Sequence, residues 1–381
     1  MSSGVRFAPA AGVTRSWIDA NGNFVPDCDL LNPVAQDLRA SGGDLCGPVS
    51  DQKFGTNALV NDFDPSILNG WGVRPSDWDL EVAIQQQILS RASIEFSYVH
   101  RWFDNFFVVD NRALGPAGLT RYSITAPPDP RLPGGGGYVV ADLYDVVPDK
   151  MGQVANLVTN AAQFGRWSQY FNGVNFNVHV RARRGLTMIA GVSAGQTVAD
   201  NCDVRAHLPE LSTSVTGTST FGAGLLNSSV TSVSPYCHVS TGFLPQFRGL
   251  LSYIVPRIDL HVSSTFQSKA GAMLVANYAV PNADVVPSLG RSLSGNAPNV
   301  TVNLIPPGSM YGDRINQLDV RIAKPLKLGR TQTLVAVEAY NLLNSSAVLL
   351  YNSTFVPGGT WPTPNMILTP RLIKLTAELT F

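Results

Sequence analysis

One pentapeptide in the sequence has the spacing of a catalytic nucleophile motif. Gly191-Val192-Ser193-Ala194-Gly195 matches G-x-S-x-G, which in hydrolases places a serine on a sharp turn between a strand and a helix. Here the motif lies inside a stretch of alternating apolar and polar residues, and QTVADNCD after it has no helical pattern. The five histidines are scattered without metal-ligand spacing, which is typical of loop or lumen residues. We therefore expect the protein not to be an enzyme.

A second stretch, DANGNFVPDCD at residues 19–29, carries oxygen-bearing side chains at short spacing. Ca²⁺ prefers about six to eight hard oxygen ligands, which a loop of this kind can supply. The stretch resembles the acidic loops of thrombospondin type 3 repeats, although two early acids are Asn and no Glu closes the loop. The candidate calcium ligands are Asp19, Asn21, Asn23, Asp27 and Asp29. The alternative is an Asx-rich turn that is held by Cys28 and binds no cofactor.

The four cysteines form two local pairs, Cys28 with Cys46 and Cys202 with Cys237. All four lie in polar stretches rich in Gly and Pro, whereas free structural cysteines are usually buried in apolar runs. The spacing therefore favours two loop-closing disulfides in an oxidising compartment over four unrelated thiols.

Composition excludes several functional classes. The 27 basic and 27 acidic residues balance, so a general affinity for nucleic acid is not expected. Charged residues make up 14% of the chain, against about 25% in typical soluble domains. No apolar run approaches the roughly 18 residues of a membrane helix, and MSSGVRFAPAAGV lacks the apolar core of a secretory signal.

Long stretches of the chain alternate between apolar and polar residues, as strands with two unlike faces do. The pattern predicts four hairpins and a final strand. Their strands cover residues 78–88 and 92–98, 174–182 and 186–194, 247–253 and 258–266, 318–322 and 335–339, and 371–381. The connections within hairpins are short, while those between hairpins (104–171, 197–244, 269–315 and 343–370) are long.

Strict alternation of short and long connections is typical of outer-membrane barrels, which have short periplasmic turns and long external loops. The sequence thus predicts an all-β, antiparallel transmembrane β-barrel with the apolar residues facing lipid. The lumen would receive Asp79, Glu81, His179, Arg181, Asp259, His261, Asp319 and Arg321. The parity of the turns gives nine strands, and a tenth is expected before Trp17.

Five short motifs occur in the order found in TonB-dependent outer-membrane receptors. They are FNGV at 171–174, NCD at 201–203, MYGDR at 310–314, EAYNLLN at 338–344, and PR at 370–371 before the last strand. With its hairpins, loops and terminal Phe381, nearly the whole chain, 1–381, resembles the C-terminal part of such a barrel. The closest match is the Oar-like group, whose members carry a carboxypeptidase-regulatory-like domain.

The resemblance implies part of a barrel of about 22 strands. Such a barrel is closed by a plug, lies in the bacterial outer membrane, and takes up a bulky ligand with energy from the TonB complex. It also implies that Leu375, Leu379 and Phe381 form the signal read by the barrel-assembly machinery. Relative to the family, the plug, the signal peptide and the N-terminal strands are absent, which predicts a fragment whose ligand the sequence does not name. The alternatives are a passive outer-membrane pore and a secreted, calcium-stabilised adhesion protein.

Overall fold

The structure is a computed structural model that describes residues 12–52, 61–182, 185–213, 220–221, 234–328 and 331–380. Its strands are β1 (Arg15–Ile18), β2 (Gln36–Asp37), β3 (Leu45–Val49), β4 (Asp62–Phe63), β5 (Ser76–Leu89), β6 (Ala92–Asp104), β7 (Phe107–Asn111), β8 (Leu119–Thr125), β9 (Val139–Val146), β10 (Asn156–Asn160), β11 (Ser168–Arg181), β12 (Leu186–Asp200), β13 (Thr220–Phe221), β14 (His238–Ser240), β15 (Leu244–Val255), β16 (Leu260–Lys269), β17 (Asn277–Pro281), β18 (Asn299–Asn303), β19 (Ile315–Leu328), β20 (Thr331–Tyr340), β21 (Val348–Tyr351), β22 (Thr354–Phe355), β23 (Pro364–Ile367) and β24 (Leu372–Thr380).

Helices are few and short. The α-helices are α1 (Pro65–Leu68), α2 (Cys202–His207) and α3 (Asn282–Leu289), and single 3-10 turns occur at Arg39–Ser41, Pro116–Gly118, Pro133–Gly135, Pro148–Lys150, Ala161–Gln163, Pro209–Ser212 and Ser294–Asn296. None of the helices in the described ranges has both the length and the hydropathy needed to cross a bilayer.

Nine long strands form one antiparallel sheet, the main sheet, in the order β24-β20-β19-β16-β15-β12-β11-β6-β5, and the short β14 pairs with β12. Each long strand therefore lies beside its neighbours in the sequence of long strands. The predicted antiparallel sheet of four hairpins and a final strand is confirmed. Within the described ranges β5 and β24 each pair with one strand only, so the sheet is open at both edges.

One bound of the predicted strand pattern is wrong, and the tenth strand predicted before Trp17 is not found in the described residues. The stretch before residue 17 does not add a tenth strand to the main sheet in its described part, because β1 pairs with β3 in a separate three-stranded sheet with β2. Residues 1–11 lie outside the described ranges. In the third hairpin the returning strand begins only at Leu260, since Arg257 (φ 74°) and Asp259 (φ 47°) have left-handed backbones that do not fit a strand. Asp259 thus lies in the turn and not on the polar face of the sheet.

The larger hydrophobic cores of the described residues lie in the long connections. The largest core joins residues of β8, β9, β17, α3 and β18 with Phe355 and Trp361, while a second packs Phe106 and Val108 against Val204, Leu208 and Leu211. The long connections fold into a layer at one end of the main sheet. We call this the loop layer, and the end of the sheet that it joins the loop end.

Candidate functional site: the two faces of the main sheet

The strand register keeps the predicted apolar residues on one face, the apolar face, across the whole main sheet. A row of direct cross-strand partners runs over five strands, through Ile84, Phe96, Phe176, Val192 and Phe247. A second row runs over four strands, through Val262, Ile322, Val337 and Leu375. Because a slip of one residue would turn a strand over, this agreement fixes the sidedness of the sheet.

Large apolar side chains on this face remain exposed. Val192, at a central position, is 36% exposed, and Leu375 on the edge strand β24 is 77% exposed. Buried apolar residues of the main sheet are mostly small, such as Ala92, Ala199, Ala323 and Ala336. A contiguous apolar surface of this extent needs an apolar environment that the chain itself does not supply.

Aromatic rings gather at the loop end of the apolar face. Trp78 stacks on Trp102 with centroids 6.4 Å apart, and His100 lies 5.2 Å from Trp102 and 6.2 Å from Tyr170. The prediction that His100 is a loop or lumen residue is therefore wrong. Sequence reasoning missed the group, although Trp102 and Tyr170 continue the even-numbered apolar parity of their strands. Such rings are typical of the boundary between hydrocarbon and headgroups.

The opposite face, the polar face, is covered by side chains that hydrogen-bond to one another. The Asn175 amide donates to the Ser97 hydroxyl (3.0 Å) and the Asn177 amide to Glu95 (3.1 Å). Further along, Gln267 donates to Gln317 (2.9 Å), which donates to Asp319 (3.0 Å). By register the other predicted polar-face residues, Asp79, Glu81, His179, Arg181, His261 and Arg321, lie on this face too.

One charged group on the polar face links three strands. Glu338 of β20 contacts Arg321 of β19 (Nε–Oε1 3.0 Å) and Lys374 of β24 (Nζ–Oε2 3.4 Å). The Tyr340 hydroxyl also donates to Glu338 (2.7 Å). Glu338 is the first residue of the EAYNLLN motif. The carboxylate of this motif therefore forms an ion pair that links β20 to the last strand, β24.

The glycines of the G-x-S-x-G motif have a packing role in the main sheet. A Cβ at Gly195 would lie 2.3 Å from Cζ of Phe171, and one at Gly191 would lie 2.3 Å from Oδ1 of Asn177. The Phe171 ring also covers Gly173, the direct partner of Gly195. Ser193 lies within β12, and the helix α2 begins only at Cys202, so the turn required by a nucleophile elbow does not form here.

Partly buried arginines connect the long loops into one layer. Arg131 pairs with Asp129 (Nε–Oδ1 2.8 Å), donates to the carbonyls of Gly359 (2.6 Å) and Trp361, and lies 5.6 Å from the Phe355 ring centroid. The guanidinium holds the pKa of Asp129 well below its usual range. The loop between β6 and β11 is thereby joined to the loop between β20 and β24.

Two further contacts join the remaining loops. Arg291 pairs with Asp145 and donates to the carbonyl of Val146 (3.1 Å). The hydroxyls of Tyr138 and Tyr236 both donate to the Leu304 carbonyl at 2.7 Å. Four long loops therefore meet in the loop layer, which is a preformed surface and not a set of independent loops.

A buried acid in the loop layer was not predicted. Glu210 is 4% exposed in the 3-10 turn after α2. Burial raises the pKa of the Glu210 carboxyl to about 7, and the nearby charge of Asp110 adds to the shift. Nothing in the local sequence signals this, because Glu210 sits in an ordinary polar stretch, HLPELS.

The structure joins Cys28 to Cys46 and Cys202 to Cys237 by disulfides. The first holds residues 19–29 against β3. The second holds the start of α2 close to β14. A hydrogen bond from the Asn201 N–H to the Cys237 carbonyl (3.0 Å) supports the same contact.

In the predicted calcium segment, most side-chain oxygens bind the protein itself. The Asp19 carboxylate accepts the N–H groups of Gly22 (2.7 Å) and Phe24 (2.9 Å), and Asp27 accepts the amide of Asn21 (2.6 Å). Within the described ranges no three His, Cys, Asp or Glu side chains are grouped as metal ligands. The geometry is that of the alternative interpretation, an Asx-rich turn, and calcium binding by Asp19, Asn21, Asn23, Asp27 and Asp29 stays a prediction.

The predicted assembly signal lies on the edge strand β24. Leu375 and Leu379 are 77% and 59% exposed on the apolar face, while Phe381 lies outside the described ranges. Recognition of these residues by an assembly machinery stays a prediction.

Comparison with solved structures gives a distant likeness. No family model matches the chain, and no curated protein matches it. A solved structure, the outer membrane transporter YddB from Escherichia coli, is similar with a TM-score of 0.39 and 9% sequence identity. The match covers 80% of this chain and 33% of that chain, so this chain spans about a third of the transporter's length.

Proposed function

We propose that the chain is part of an outer-membrane transport barrel of the TonB-dependent type. The observation that carries the proposal is the register of the main sheet, which places an exposed apolar face opposite a hydrogen-bonded polar face over nine consecutive strands. Strands of up to 15 residues, such as β12, exceed the roughly 9–11 residues that a tilted strand needs to cross a bilayer. A soluble adhesion protein with this sheet would leave the apolar face in water.

The two edges support the view that the sheet is part of a larger barrel. In hydrocarbon the outward-pointing N–H and C=O groups of β5 and β24 need partners, since water is absent there. We therefore propose that further strands close the sheet, with a plug and a TonB-contacting segment on the same polypeptide. The gene sequence upstream of Met1 tests this: we expect a plug domain in frame, and a start site with neither plug nor signal peptide would contradict it.

In this proposal the polar face lines the lumen and the loop layer is the external surface that meets a bulky ligand. The strand end at 372–381 would be the segment that the barrel-assembly machinery recognises. Residues appended after Phe381 should then lower the inserted fraction, measured in outer-membrane preparations, while the same residues inserted in an external loop should not.

Adjacent residues of β12 give a matched test of the membrane assignment. Val192 lies on the apolar face and Ser193 on the polar face. Val192→Lys places a charge in lipid, which costs about 2–4 kcal/mol near the midplane, whereas Ser193→Lys faces water. We expect Val192→Lys alone to lower insertion into lipid vesicles, measured by the heat-sensitive gel shift of folded barrels. Equal effects of the two lysines would contradict the proposal.

A further inference from the structure

A segment between β1 and β2 exposes apolar side chains on a backbone held by a disulfide and by hydrogen bonds. Within residues 24–34, which we call the tip segment, five apolar side chains are at least half exposed. They are Phe24 (88%), Val25 (58%), Leu30 (70%), Leu31 (94%) and Val34 (50%). Single exposed apolar residues are common, but five in eleven consecutive positions around a buried cysteine are not.

The backbone beneath these side chains is fixed. Cys28 is bonded to Cys46, and the fully buried Asp44 carboxylate accepts the N–H groups of Ala20 (3.0 Å) and Asp27 (3.1 Å). Gln36 makes two hydrogen bonds to the backbone of Asp29, at 3.0 and 2.9 Å. The tip segment is therefore held in one conformation before any partner arrives, which lowers the entropic cost of binding.

Phe24 is held in a strained conformation in an exposed turn. Its φ of 61° lies in the left-handed region, where glycine would be free of strain. The Asp19 carboxylate stabilises this turn by accepting the Phe24 N–H. A large apolar side chain kept in this conformation at 88% exposure is typical of a residue with a binding role.

The charge around the tip segment decides between two classes of partner. Residues 12–52 contain six Asp, two Arg and no Lys or Glu, so their formal net charge is four negative. A lipid leaflet with phosphate headgroups would repel such a segment, whereas a protein surface with Lys and Arg around an apolar pocket would attract it.

We propose that the tip segment is a docking site for another protein that carries an apolar pocket bordered by basic residues. Phe24 and Leu31 are the anchors that enter the pocket, and the aspartates around them set orientation and association rate. The proposed function enters this inference at one point only, which is that the partner lies outside the cell.

The test uses a photo-crosslinking amino acid at position 24 or 31 in cells that produce the protein, with Ala40, exposed in the same small domain, as the control position. We expect adducts with one other protein from positions 24 and 31 and not from 40. That protein is then identified and purified. Its affinity should fall at least tenfold with Phe24→Ser and Leu31→Ser and fall with rising salt, while Ala40→Ser leaves it unchanged.

Several results would overturn the proposal. They are adducts with lipid alone, adducts with a second copy of the chain alone, adducts equal to those at position 40, no adducts, or unchanged affinity of the purified partner. A thiol assay on each variant shows whether the Cys28–Cys46 bond has formed, which separates lost binding from misfolding. Membrane fractionation of the same cells tests the proposed function separately. A chain that is absent from the membrane fraction but still forms the adducts would contradict the membrane assignment and support the docking site.

Discussion

At the residue scale, Phe171 and two glycines form the tightest packing contact on the polar face. The ring occupies the space that side chains at Gly173 and Gly195 would fill. Packing thus explains the FNGV motif at 171–174, because the Phe171 ring fits only beside residues without a Cβ. The same reason explains Gly195 without any catalytic role for Ser193.

Gly195→Ala should lower the free energy of unfolding by about 1–3 kcal/mol, the usual cost of overpacking. The added Cβ would lie 2.3 Å from the Phe171 ring. Gly249→Ala on β15 is the matched control, because a Cβ there meets its nearest neighbour, Cβ of Phe266, at 4.0 Å. Urea unfolding of the folded chain in detergent measures both. Equal stability of the two variants, or no rescue of Gly195→Ala by Phe171→Leu, would contradict this packing.

Glu210 predicts a pH dependence in the loop layer. Its pKa is raised from 4.5 to about 7 by burial, so the folded state binds the proton more tightly than the unfolded state. The stabilisation is complete below about pH 4.5 and is lost as pH rises through about 7, with a total of roughly 3 kcal/mol. The protection factors of residues 202–213, which compare each exchange rate with the intrinsic rate at the same pH, should therefore fall between pH 5 and pH 8 as local opening becomes easier.

Glu210→Gln should remove this dependence, because the amide stays neutral throughout the range. Asp149→Asn, an exposed acid of the same layer, is the control and should leave the dependence intact. A pH profile that is identical in Glu210→Gln and in the unsubstituted protein would show that another group titrates.

At the element scale, alternation in the sequence predicts the nine long strands because each has one apolar and one polar face. Val192 and Ser193 illustrate the signal, since neighbouring residues of opposite character point in opposite directions. The strands of the loop layer have no such signal. β10, for example, is buried at four of its five positions, and its parallel partner β4 lies more than 90 residues earlier. The sequence pattern placed Asp259 on the polar face of a strand, which is wrong. Its left-handed backbone depends on the geometry of the turn, and alternation of residue types does not reveal that geometry.

Arg131 connects two elements that are far apart in the sequence, and its removal should loosen both. Arg131→Ala would leave the Asp129 carboxylate without its partner and free the carbonyls of Gly359 and Trp361, which should destabilise both loops. We expect protease cleavage within residues 343–370 to become much faster. Arg121→Ala breaks an exposed pair with Asp142 and should cost about 0–1 kcal/mol. Similar cleavage rates in both variants would show that the two loops do not depend on Arg131.

At the scale of the whole molecule, the two edge strands of the main sheet, β5 and β24, differ from its central strands. Half of the backbone N–H groups in an edge strand point away from the sheet and have no ladder partner. In the isolated chain we expect amides of β5 and β24 to exchange with solvent deuterium faster than those of β11 and β12, as measured by mass spectrometry. Under the proposal that further strands close the sheet, adding those strands should slow exchange in β5. Uniform protection across the sheet would mean that the edges are already covered.

The strand order of the main sheet also has a consequence for the timing of assembly. Each long strand lies beside the next long strand of the chain, so the sheet can grow one hairpin at a time, and no completed hairpin waits for a distant partner. The loop layer is different, because Arg131 can donate to the carbonyls of Gly359 and Trp361 only after the last long loop has been synthesised. We therefore expect the outer surface to take its final shape last, when the wall beneath it is already complete.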